Sequence, residues 1–362
     1  MVDIEQDQFG TPETDWPWPF GLSDITYGLR RYLGDTQVDV TNIDLISLPD
    51  RRPSIGRVRG IRVEYGQAGQ QKSCELVVKE PQGTTRTGLA GAGKREVGLY
   101  ESLSEHLPLE TPRMLVGSPL GDWLILELVE HSKDPAVWEA EDYRKAVDHL
   151  SDLHDRFWAL DVDLITYPWL GHPLSADFDV HITAAEQGLT RIRESGQPMA
   201  IAEEPERMDL LERLISSASE IVAPLQVETH TLLHGDYWPG NVAALPDGRQ
   251  VVYDWQLAGV GPGVMDLLAF VYKSLWWFED LPLGIDEIVK RYQDNLIQRT
   301  GSEWNQEHWS LLWDHALMWR FVQEWVDLLA VTPGPLIETW AARLETVWLQ
   351  PVRQAADRRL NG

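Results

Sequence analysis

Cysteine is almost absent from this sequence. Cys74 is the only one, so an intrachain disulfide or a zinc site with several cysteines is excluded. Long apolar segments are absent too, since no run approaches the roughly 18 apolar residues of a membrane span. The segment from Met1 to Glu5 also lacks the basic and then apolar order of a signal peptide. We therefore expect a cytoplasmic protein without a membrane partner.

Positive charge is in short supply. The sequence has 31 Lys and Arg residues against 57 Asp and Glu residues, which gives a formal net charge of −26. Such a field repels nucleic-acid phosphates and anionic lipids, so binding to nucleic acid or to a membrane surface is disfavoured. It weakly favours a cationic small-molecule ligand, although an acidic surface also serves solubility alone. The charge pattern indicates no oligomeric state.

The 362 residues are enough for two lobes, and a hydrophobic content of 43% is that of a globular protein. Ser23 is a candidate N-cap for a short helix that runs to about Leu33. Apolar stretches between turn-forming residues then predict strands, and a helical pattern follows a glycine-rich stretch. We expect the strands at residues 38–48, 58–65, 74–79 and 123–129, and the helix at residues 94–106.

The rest of the chain has a helical pattern. Helical periodicity is found over residues 135–160 and 208–222, and helix follows helix from residue 264 onward. Residues 164–205 are rich in helix breakers and give no clear pattern. We therefore expect an α+β protein, with a β-rich lobe over residues 1–130 and a mostly helical lobe over residues 131–362.

The most informative segment is His234-Gly235-Asp236, with Asn241 five residues after the aspartate. Average residue frequencies predict His-x-Asp-x4-Asn in only about 0.02 of chains of this length. A second aspartate, Asp254, follows an apolar strand. The alternative interpretation is an Asx-rich turn between two strands, which does not account for this joint pattern.

This arrangement suits phosphoryl transfer. An alcohol that attacks the terminal phosphate of ATP needs a carboxylate to orient it and accept its proton, and Mg²⁺ needs oxygen ligands. A carboxylate about 4 Å from a phosphate charge is repelled by about 4 kcal/mol at an effective dielectric of about 20. Asp236 and Asp254 would therefore oppose nucleotide binding unless a divalent cation lies between them.

The non-transferred phosphates also need a cation, and Lys79 ends an apolar strand of the first lobe. Glu96, near the start of the following helix, is a natural partner for this lysine. Each residue also has a plainer interpretation, as a surface lysine at a strand end and as an acid favoured by the helix dipole. Only their position ahead of the His-Gly-Asp segment favours a functional role.

Together these motifs resemble the aminoglycoside phosphotransferase and choline-kinase-like families, the small-molecule branch of the protein-kinase fold, including its ecdysteroid-kinase-like members. The His-Gly-Asp segment is similar to their catalytic loop, and Asp254-Trp255-Gln256 is similar to their metal-binding triplet. Residues 264–269 resemble the Asp-Leu-Ala helix that follows the triplet. The resemblance covers residues 38–275 and implies a two-lobed, protein-kinase-like fold.

The resemblance also implies a role for each candidate residue. Asp236 is the expected catalytic base. Lys79 is expected to hold the α and β phosphates of the nucleotide, and Glu96 is expected to position this lysine. The expected magnesium ligands are Asn241 and Asp254.

The nucleotide contacts outside this set are less well defined. The resemblance implies a hinge at residues 126–129, where backbone groups of Glu127 and Val129 would read the base of ATP or GTP. No Gly-x-Gly-x-x-Gly loop lies between the first strands, so the turn at residues 52–57 is the best candidate to cover the phosphates. Ser54 is the candidate contact in this turn, although a plain surface turn is the simpler interpretation.

The acceptor is expected to be a small molecule, because no Ala-Pro-Glu element follows Asp254 as it would in a protein kinase. The leading hypothesis is an ATP- and Mg²⁺-dependent O-phosphotransferase that acts on an aminoglycoside, an amino alcohol or a sugar-like compound. The alternative is a non-catalytic, kinase-like nucleotide-binding or scaffold protein. It is disfavoured because the four polar residues of the expected site are all present.

The sequence has 17 tryptophans, and core packing is the favoured interpretation for most of them. A few could instead wall an acceptor pocket, through cation–π contact with an amine or stacking on a sugar. Acids such as Asp177 and Asp280 could bind amines of the acceptor, although a solvated acidic face is the simpler interpretation.

Overall fold

The computed structural model describes residues 17–48, 56–81, 89–129, 132–278 and 280–360. Ser54, the candidate phosphate contact, lies outside these residues. Within them, no helix is both long enough and apolar enough to cross a membrane.

The first part of the described chain contains five strands: β1 Asp39–Ile46, β2 Arg57–Gln67, β3 Gln70–Glu80, β4 Met114–Gly117 and β5 Leu124–Glu127. They form one antiparallel sheet in the order β1-β2-β3-β5-β4. A two-residue turn at Ala68 and Gly69 joins β2 to β3, and its φ angles of 51° and 75° suit the twist of a hairpin. In the resulting register, Lys79 on β3 lies between Val58 on β2 and Leu124 on β5.

Helix α1, Leu22–Leu33, precedes the sheet. Its N-cap is Gly21, so the prediction of Ser23 as the capping residue is wrong. The reason is the Asp24 carboxylate, which accepts a hydrogen bond from the Gly21 N–H at 2.8 Å. Its negative charge also interacts favourably with the positive end of the helix dipole. The helix ends at Gly34, which has a φ of 64°.

Helix α2, Ala92–Ser102, lies between β3 and β4 and carries Glu96. It is shorter than the helix predicted over residues 94–106, because a separate 3₁₀ turn forms at Ser104–His106. Gly98 of this helix packs directly on the ring of Trp169, and a Cβ there would lie only 2.3 Å from the ring. This close approach holds α2 against the helical part of the chain.

Helices dominate the chain after residue 139. They are α3 Ala140–Arg156, α4 Asp161–Leu164, α5 Phe178–Ser195, α6 Met199–Ala202, α7 Pro205–Ser216, α8 Ala218–Gln226, α9 Val264–Trp277, α10 Ile285–Thr300, α11 Gln306–Arg320, α12 Val326–Val331, α13 Gly334–Leu344 and α14 Gln350–Arg359. π-Helical turns at Phe321–Trp325 and Glu345–Leu349 join α11 to α12 and α13 to α14.

Two short pairs of antiparallel strands interrupt the helices and position the candidate loop. β6, Thr231–Leu233, pairs with β9, Gly259–Gly261, and β7, Val242–Ala244, pairs with β8, Gln250–Val252. The His-Gly-Asp segment therefore lies between β6 and β7.

One prediction about the helical part needs correction, and one stretch without a clear pattern contains a helix. The single helix predicted over residues 208–222 is two helices, α7 and α8, which meet at Ser217. The breaker-rich stretch at residues 164–205 contains the long helix α5, because its glycines and prolines flank the helix more than they interrupt it. The observed order, a β-sheet followed by helices, confirms the α+β class.

The buried apolar side chains form two clusters. One lies between α1 and the sheet and includes Ile25, Leu29, Ile61 and Val78. The larger one fills the helical part and also takes in Val97 and Leu99 of α2. Helix α2 therefore packs on both parts of the molecule, and a division of the chain at residue 130 stays a prediction.

Candidate active site

Lys79 is the first polar residue of the site, and the alternation of side chains between the two faces of β3 explains its position. Val78 is fully buried in the sheet core, so Lys79 lies on the opposite face of the strand. There its Nζ lies 2.9 Å from Glu96 Oε1 and 2.7 Å from Glu96 Oε2. It also lies 2.5 Å from Asp254 Oδ1. One ammonium group thus joins the sheet, α2 and the segment after β8.

Lys79 and Glu96 perturb each other's pKa because both side chains are buried. Burial alone would lower the pKa of the Lys79 ammonium, but the carboxylates of Asp254 and Glu96 outweigh this effect and raise it. Burial raises the pKa of Glu96 to about 7, with Lys79 opposing the rise and Asp254 adding to it. With both carboxylates ionised, the trio carries an excess negative charge that a bound cation would relieve.

Asp254 is held in an unusual backbone conformation. Its φ is 69°, in the left-handed region that side chains with a Cβ rarely adopt. Such conformations cost of the order of 1–3 kcal/mol and persist only where neighbouring contacts enforce them. Here the contacts involve Tyr253, which donates its N–H to the Asn241 carbonyl at 3.0 Å and accepts a hydrogen bond from His234 Nε2 at 3.1 Å.

The segment from Asp236 to Asn241 folds back on itself. A 3₁₀ turn at Pro239–Asn241 brings the asparagine next to the aspartate, and both side chains are buried. Asn241 Nδ2 donates to the Asp236 carbonyl at 2.8 Å and to Asp236 Oδ2 at 3.0 Å. The spacing between the two residues therefore orients the carboxylate, and it leaves the amide oxygen of Asn241 to coordinate a cation.

Buried polar groups hold this loop in place. Asp266 on α9 accepts the backbone N–H of His234 at 2.6 Å and that of Gly235 at 2.9 Å. His154 contributes from α3, with Nε2 3.4 Å from the Asp266 carboxylate and Nδ1 2.6 Å from the Tyr292 hydroxyl. Burial alone would raise the pKa of Asp266, but the hydrogen bond from His154 and the neighbouring histidines hold it below its ordinary value.

Two cations that no sequence motif indicates also contact Asp236. Lys273 on α9 and Arg320 at the end of α11 both reach Asp236 Oδ1, with Arg320 Nη2 at 3.3 Å. Arg320 also donates to the Gly235 carbonyl at 2.7 Å. Glu324 completes the group, 3.3 Å from Lys273 Nζ and 2.6 Å from Arg320 Nη2. The candidate base therefore belongs to a network of two cations and two carboxylates.

A weak signal for Lys273 exists in the sequence. It follows Asp266 by seven residues, which is two helical turns, so both side chains lie on one face of α9. Arg320 has no such signal relative to the loop. Its contact with Asp236 depends on how α11 packs, which a local pattern does not specify.

The predicted hinge residues lie apart from this cluster. Glu127 pairs with Leu76 on β3, whereas Lys79 pairs with Leu124, so Glu127 lies three residues along β5 from the residue opposite the lysine. Three strand residues span about 10 Å. Val129 follows two residues after Glu127. The separation is compatible with a nucleotide whose base lies at the hinge and whose phosphates lie at Lys79.

The donor set formed by Asn241 and Asp254 fits Mg²⁺. Over the part of the chain that the structure describes, no group of three or more His, Cys, Asp or Glu side chains could hold a metal ion. Mg²⁺ does not need such a cage, because it keeps several waters and binds one or two carboxylates together with substrate phosphates. One carboxylate and one amide oxygen, linked through Tyr253, are suited to a metal that binds together with a nucleotide.

The sheet contains a buried lysine, and the helical part that follows carries a His-Gly-Asp loop. This combination is typical of a kinase-like phosphotransferase. The model of the phosphotransferase enzyme family, APH, matches residues 61–309. The chain belongs to this family, and it is a small-molecule phosphotransferase. No curated protein sequence matches it.

Solved structures share the fold at low sequence identity. A Ralstonia eutropha protein assigned to the aminoglycoside phosphotransferases has a TM-score of 0.54 and 14% identity, over 91% of this chain and 98% of that chain. An ethanolamine kinase from Plasmodium vivax has a TM-score of 0.54 and 12% identity, over 82% and 81% of the two chains. The enzyme APH(2″)-IIa, in a complex with streptomycin and ATP, has a TM-score of 0.50 and 15% identity, over 90% and 96%.

Proposed function

We propose that this phosphotransferase moves the terminal phosphate of ATP, or of GTP, to a hydroxyl of a small molecule, with Asp236 as the catalytic base and Mg²⁺ as the cofactor. The observation that carries this proposal is the contact of Lys79 with both Glu96 and Asp254. This contact assembles three distant segments around one point, next to the loop that holds Asp236.

In the proposed step, a carboxylate oxygen of Asp236 accepts the proton of the acceptor hydroxyl. As the hydroxyl oxygen bonds to the terminal phosphorus, the bond from this phosphorus to the bridging oxygen breaks and the nucleoside diphosphate leaves. Asn241 Nδ2 holds the carboxylate in position throughout. Positioning and electrostatic stabilisation account for most of the rate enhancement in phosphoryl transfer, and Asp236 with its partners supplies the positioning.

Lys79 is proposed to bind the non-transferred phosphates, and Glu96 to position it. Asn241 and Asp254 are proposed to hold Mg²⁺, which when bound neutralises charge on the phosphate oxygens. Asp254 already contacts Lys79, so its carboxylate lies where the lysine and a phosphate-bound cation would meet. Glu127 and Val129 are proposed to read the base through their backbone groups.

These positions support different functions for the two predicted lobes. We assign nucleotide binding to a lobe over residues 1–130, and catalysis and acceptor binding to a lobe over residues 131–362. The names of two similar structures mention streptomycin and ethanolamine, which are hydroxylated amines. They support a small hydroxylated acceptor as a class, and aminoglycosides, amino alcohols and sugars are the first compounds to test.

The test measures ADP release by the full chain with Mg²⁺ and ATP over a library of these acceptors. The Asp236→Asn variant should lose about 10²- to 10⁴-fold in turnover, because it lacks a base. It should still be stabilised by nucleotide, by about 2.7 kcal/mol at 100 times the dissociation constant. Asp294→Asn, an exposed carboxylate on α10, is the matched control.

Three results would count against the proposal. Undiminished turnover in Asp236→Asn would remove the base assignment. Stabilisation by nucleotide without ADP release for any acceptor class would favour the non-catalytic alternative. A folded protein that nucleotide does not stabilise would contradict the nucleotide site itself.

A further inference from the structure

A cavity of about 40 Å³ lies beside the catalytic loop. Gly235, Asp266 and Arg320 contribute to its wall, together with Arg95 of α2 and residues of α5 and α11. The residues assigned to base, metal and phosphate binding do not line it. This volume exceeds the roughly 10–15 Å³ that one buried water needs, so the cavity can hold a ligand of a few heavy atoms.

Arg95 is the least satisfied charge in this wall. Among the described residues, its carboxylate partner is Asp177, and the Nη2 to Oδ2 distance of 3.7 Å is too long for a hydrogen bond. The same oxygen already accepts the N–H of His172 at 2.7 Å. The Arg95 side chain is 12% exposed, and its nitrogens are not among the fully buried donors that lack a partner. A guanidinium group carries five N–H donors, and at 3.7 Å the Asp177 carboxylate accepts no hydrogen bond from those of Arg95, which remain available to a ligand in the cavity.

Further donors without acceptors belong to the same wall. Trp319 Nε1 and Arg320 Nε are buried and have no hydrogen-bond partner among the described residues. Both groups can only donate. Buried polar groups are normally satisfied, and each unsatisfied one costs about 1–3 kcal/mol.

His181 adds a donor of the same kind. Burial lowers its pKa to about 4, so the ring is neutral at pH 7. Gln323 Nε2 lies 3.4 Å from His181 Nε2, and an amide nitrogen only donates, so the ring accepts there and carries its proton on Nδ1. That Nδ1 is buried without a partner. The side chain is 6% exposed.

The carboxylates in the wall do not satisfy these donors. Asp177 is engaged by the His172 amide, and Asp266 accepts the amides of His234 and Gly235. The cavity therefore has an excess of N–H donors, and the carboxylate paired with the Arg95 guanidinium is too distant, at 3.7 Å, to accept a hydrogen bond from it. A ligand that fits it has to supply acceptor oxygens, and a negatively charged one would pair with Arg95.

We propose that this cavity is a binding site for a small organic compound that carries a carboxylate, held by the guanidinium of Arg95 and by the N–H groups of His181, Trp319 and Arg320. A planar carboxylate matches the two parallel donors of a guanidinium. The site is defined by these residues alone, so its existence does not depend on the assignment of Asp236 as the base.

Binding in this cavity would be transmitted to the catalytic residues by direct contacts. Arg95 is adjacent in sequence to Glu96, which contacts Lys79. Arg320 contacts both the Gly235 carbonyl and Asp236 Oδ1. A ligand that orders these two arginines should therefore change nucleotide affinity, and nucleotide should change the affinity for the ligand by the same factor.

The experiment titrates the full chain by calorimetry, without nucleotide, with small mono-, di- and tricarboxylates, their methyl esters, and inorganic phosphate. We expect saturable binding of at least one carboxylate and none of its ester. Arg95→Met should weaken that binding about tenfold or more, since a charged hydrogen bond is lost. Trp319→Phe keeps the ring but removes its N–H, and should weaken binding severalfold. Arg193→Met, which removes an exposed arginine on α5, is the control of equal charge change and should bind normally.

The outcomes distinguish the possible roles of the bound carboxylate. ADP release stimulated by the bound compound identifies it as the acceptor, and binding without release identifies a separate effector. Asp236→Asn should abolish the release but keep the binding, so failure of the base assignment is distinguishable from failure of the site. The proposal is overturned if no carboxylate binds, if inorganic phosphate binds and carboxylates do not, or if Arg95→Met and Trp319→Phe both bind as the wild type does.

Discussion

Two lysines of the molecule are each held by two carboxylates, and the two clusters differ in their balance of charge. Lys79 is buried, and Lys273 is partly buried. Lys79 faces Glu96 and Asp254 with no second cation in this trio. Lys273 faces Asp236 and Glu324, and there Arg320 pairs with both carboxylates.

The first cluster therefore has an excess carboxylate and the second is neutral. Burial raises the pKa of Glu96 to about 7, and the excess carboxylate, Asp254, adds to this rise. This difference suggests different tasks. A cluster with uncompensated negative charge is suited to bind a cation, whereas a neutral network is suited to hold a carboxylate in a fixed orientation.

The largest expected difference between the clusters is in stability. Lys79→Met leaves the buried carboxylate of Glu96 and the partly buried one of Asp254 without a cation, which should lower the free energy of unfolding by about 3–5 kcal/mol. Lys273→Met should cost less, because Arg320 still pairs with both remaining carboxylates. Chemical denaturation of both variants at neutral pH measures this. Equal losses would mean that the charge balance of the two clusters does not matter.

A second expected difference is in turnover. Lys273→Met should lower turnover by about 10- to 100-fold, because Asp236 loses a partner that fixes its orientation beside the transferring group. The apparent affinity for nucleotide should be unchanged, since Lys273 does not contact the Lys79 cluster. Lys273→Arg should recover part of the turnover. Normal turnover in Lys273→Met would show that Arg320 and Asn241 are sufficient to hold the base.

The smallest expected difference is in the pH dependence of stability. The pKa of Glu96 rises from its ordinary value of 4.5 to about 7, so the folded protein binds more protons at this group than the unfolded chain does. Through Glu96, the free energy of unfolding should therefore fall as pH rises across this window. Glu96→Gln should remove this contribution. Denaturation from pH 5 to about 7.5 measures the difference between variant and wild type.

The comparison with the variant is necessary because other groups titrate in the same range. His181 has a pKa lowered by burial to about 4, so the folded protein binds fewer protons there and its contribution has the opposite sign. This contribution is common to wild type and Glu96→Gln and cancels in the difference. Parallel pH profiles for the two proteins would contradict the raised pKa of Glu96.

The two clusters also differ in how far the sequence indicates them. The sequence pattern indicates where the residues of the first cluster lie. Lys79 is near a strand end, Glu96 is near a helix start, and Asp254 is the second residue after a strand. Asp236 and Asn241 are linked by a short spacing that one turn can close. Lys273 and Arg320 reach Asp236 from 37 and 84 residues away, through helices whose packing no local pattern specifies.

The errors in the sequence-based expectations have similar causes. Ser23 is a good N-cap residue by type, but a carboxylate one position later reaches the Gly21 amide. Apolar residues recur at helical spacing on both sides of Ser217, so the pattern over residues 208–222 does not show the break there. The cavity next to Arg95 had no sequence signal, because it is formed by side chains from segments far apart in the chain.

The sequence by itself determined the strand and helix classes, the His-Gly-Asp loop with its asparagine, and hence the phosphotransferase family. These properties depend on residues close together in the chain, where periodicity and turn geometry act directly. Only the tertiary structure decided which cations surround Asp236 and which donors line the cavity beside Arg95. Those depend on the packing of α2, α5, α9 and α11, and burial there removes the water that would otherwise satisfy the same groups.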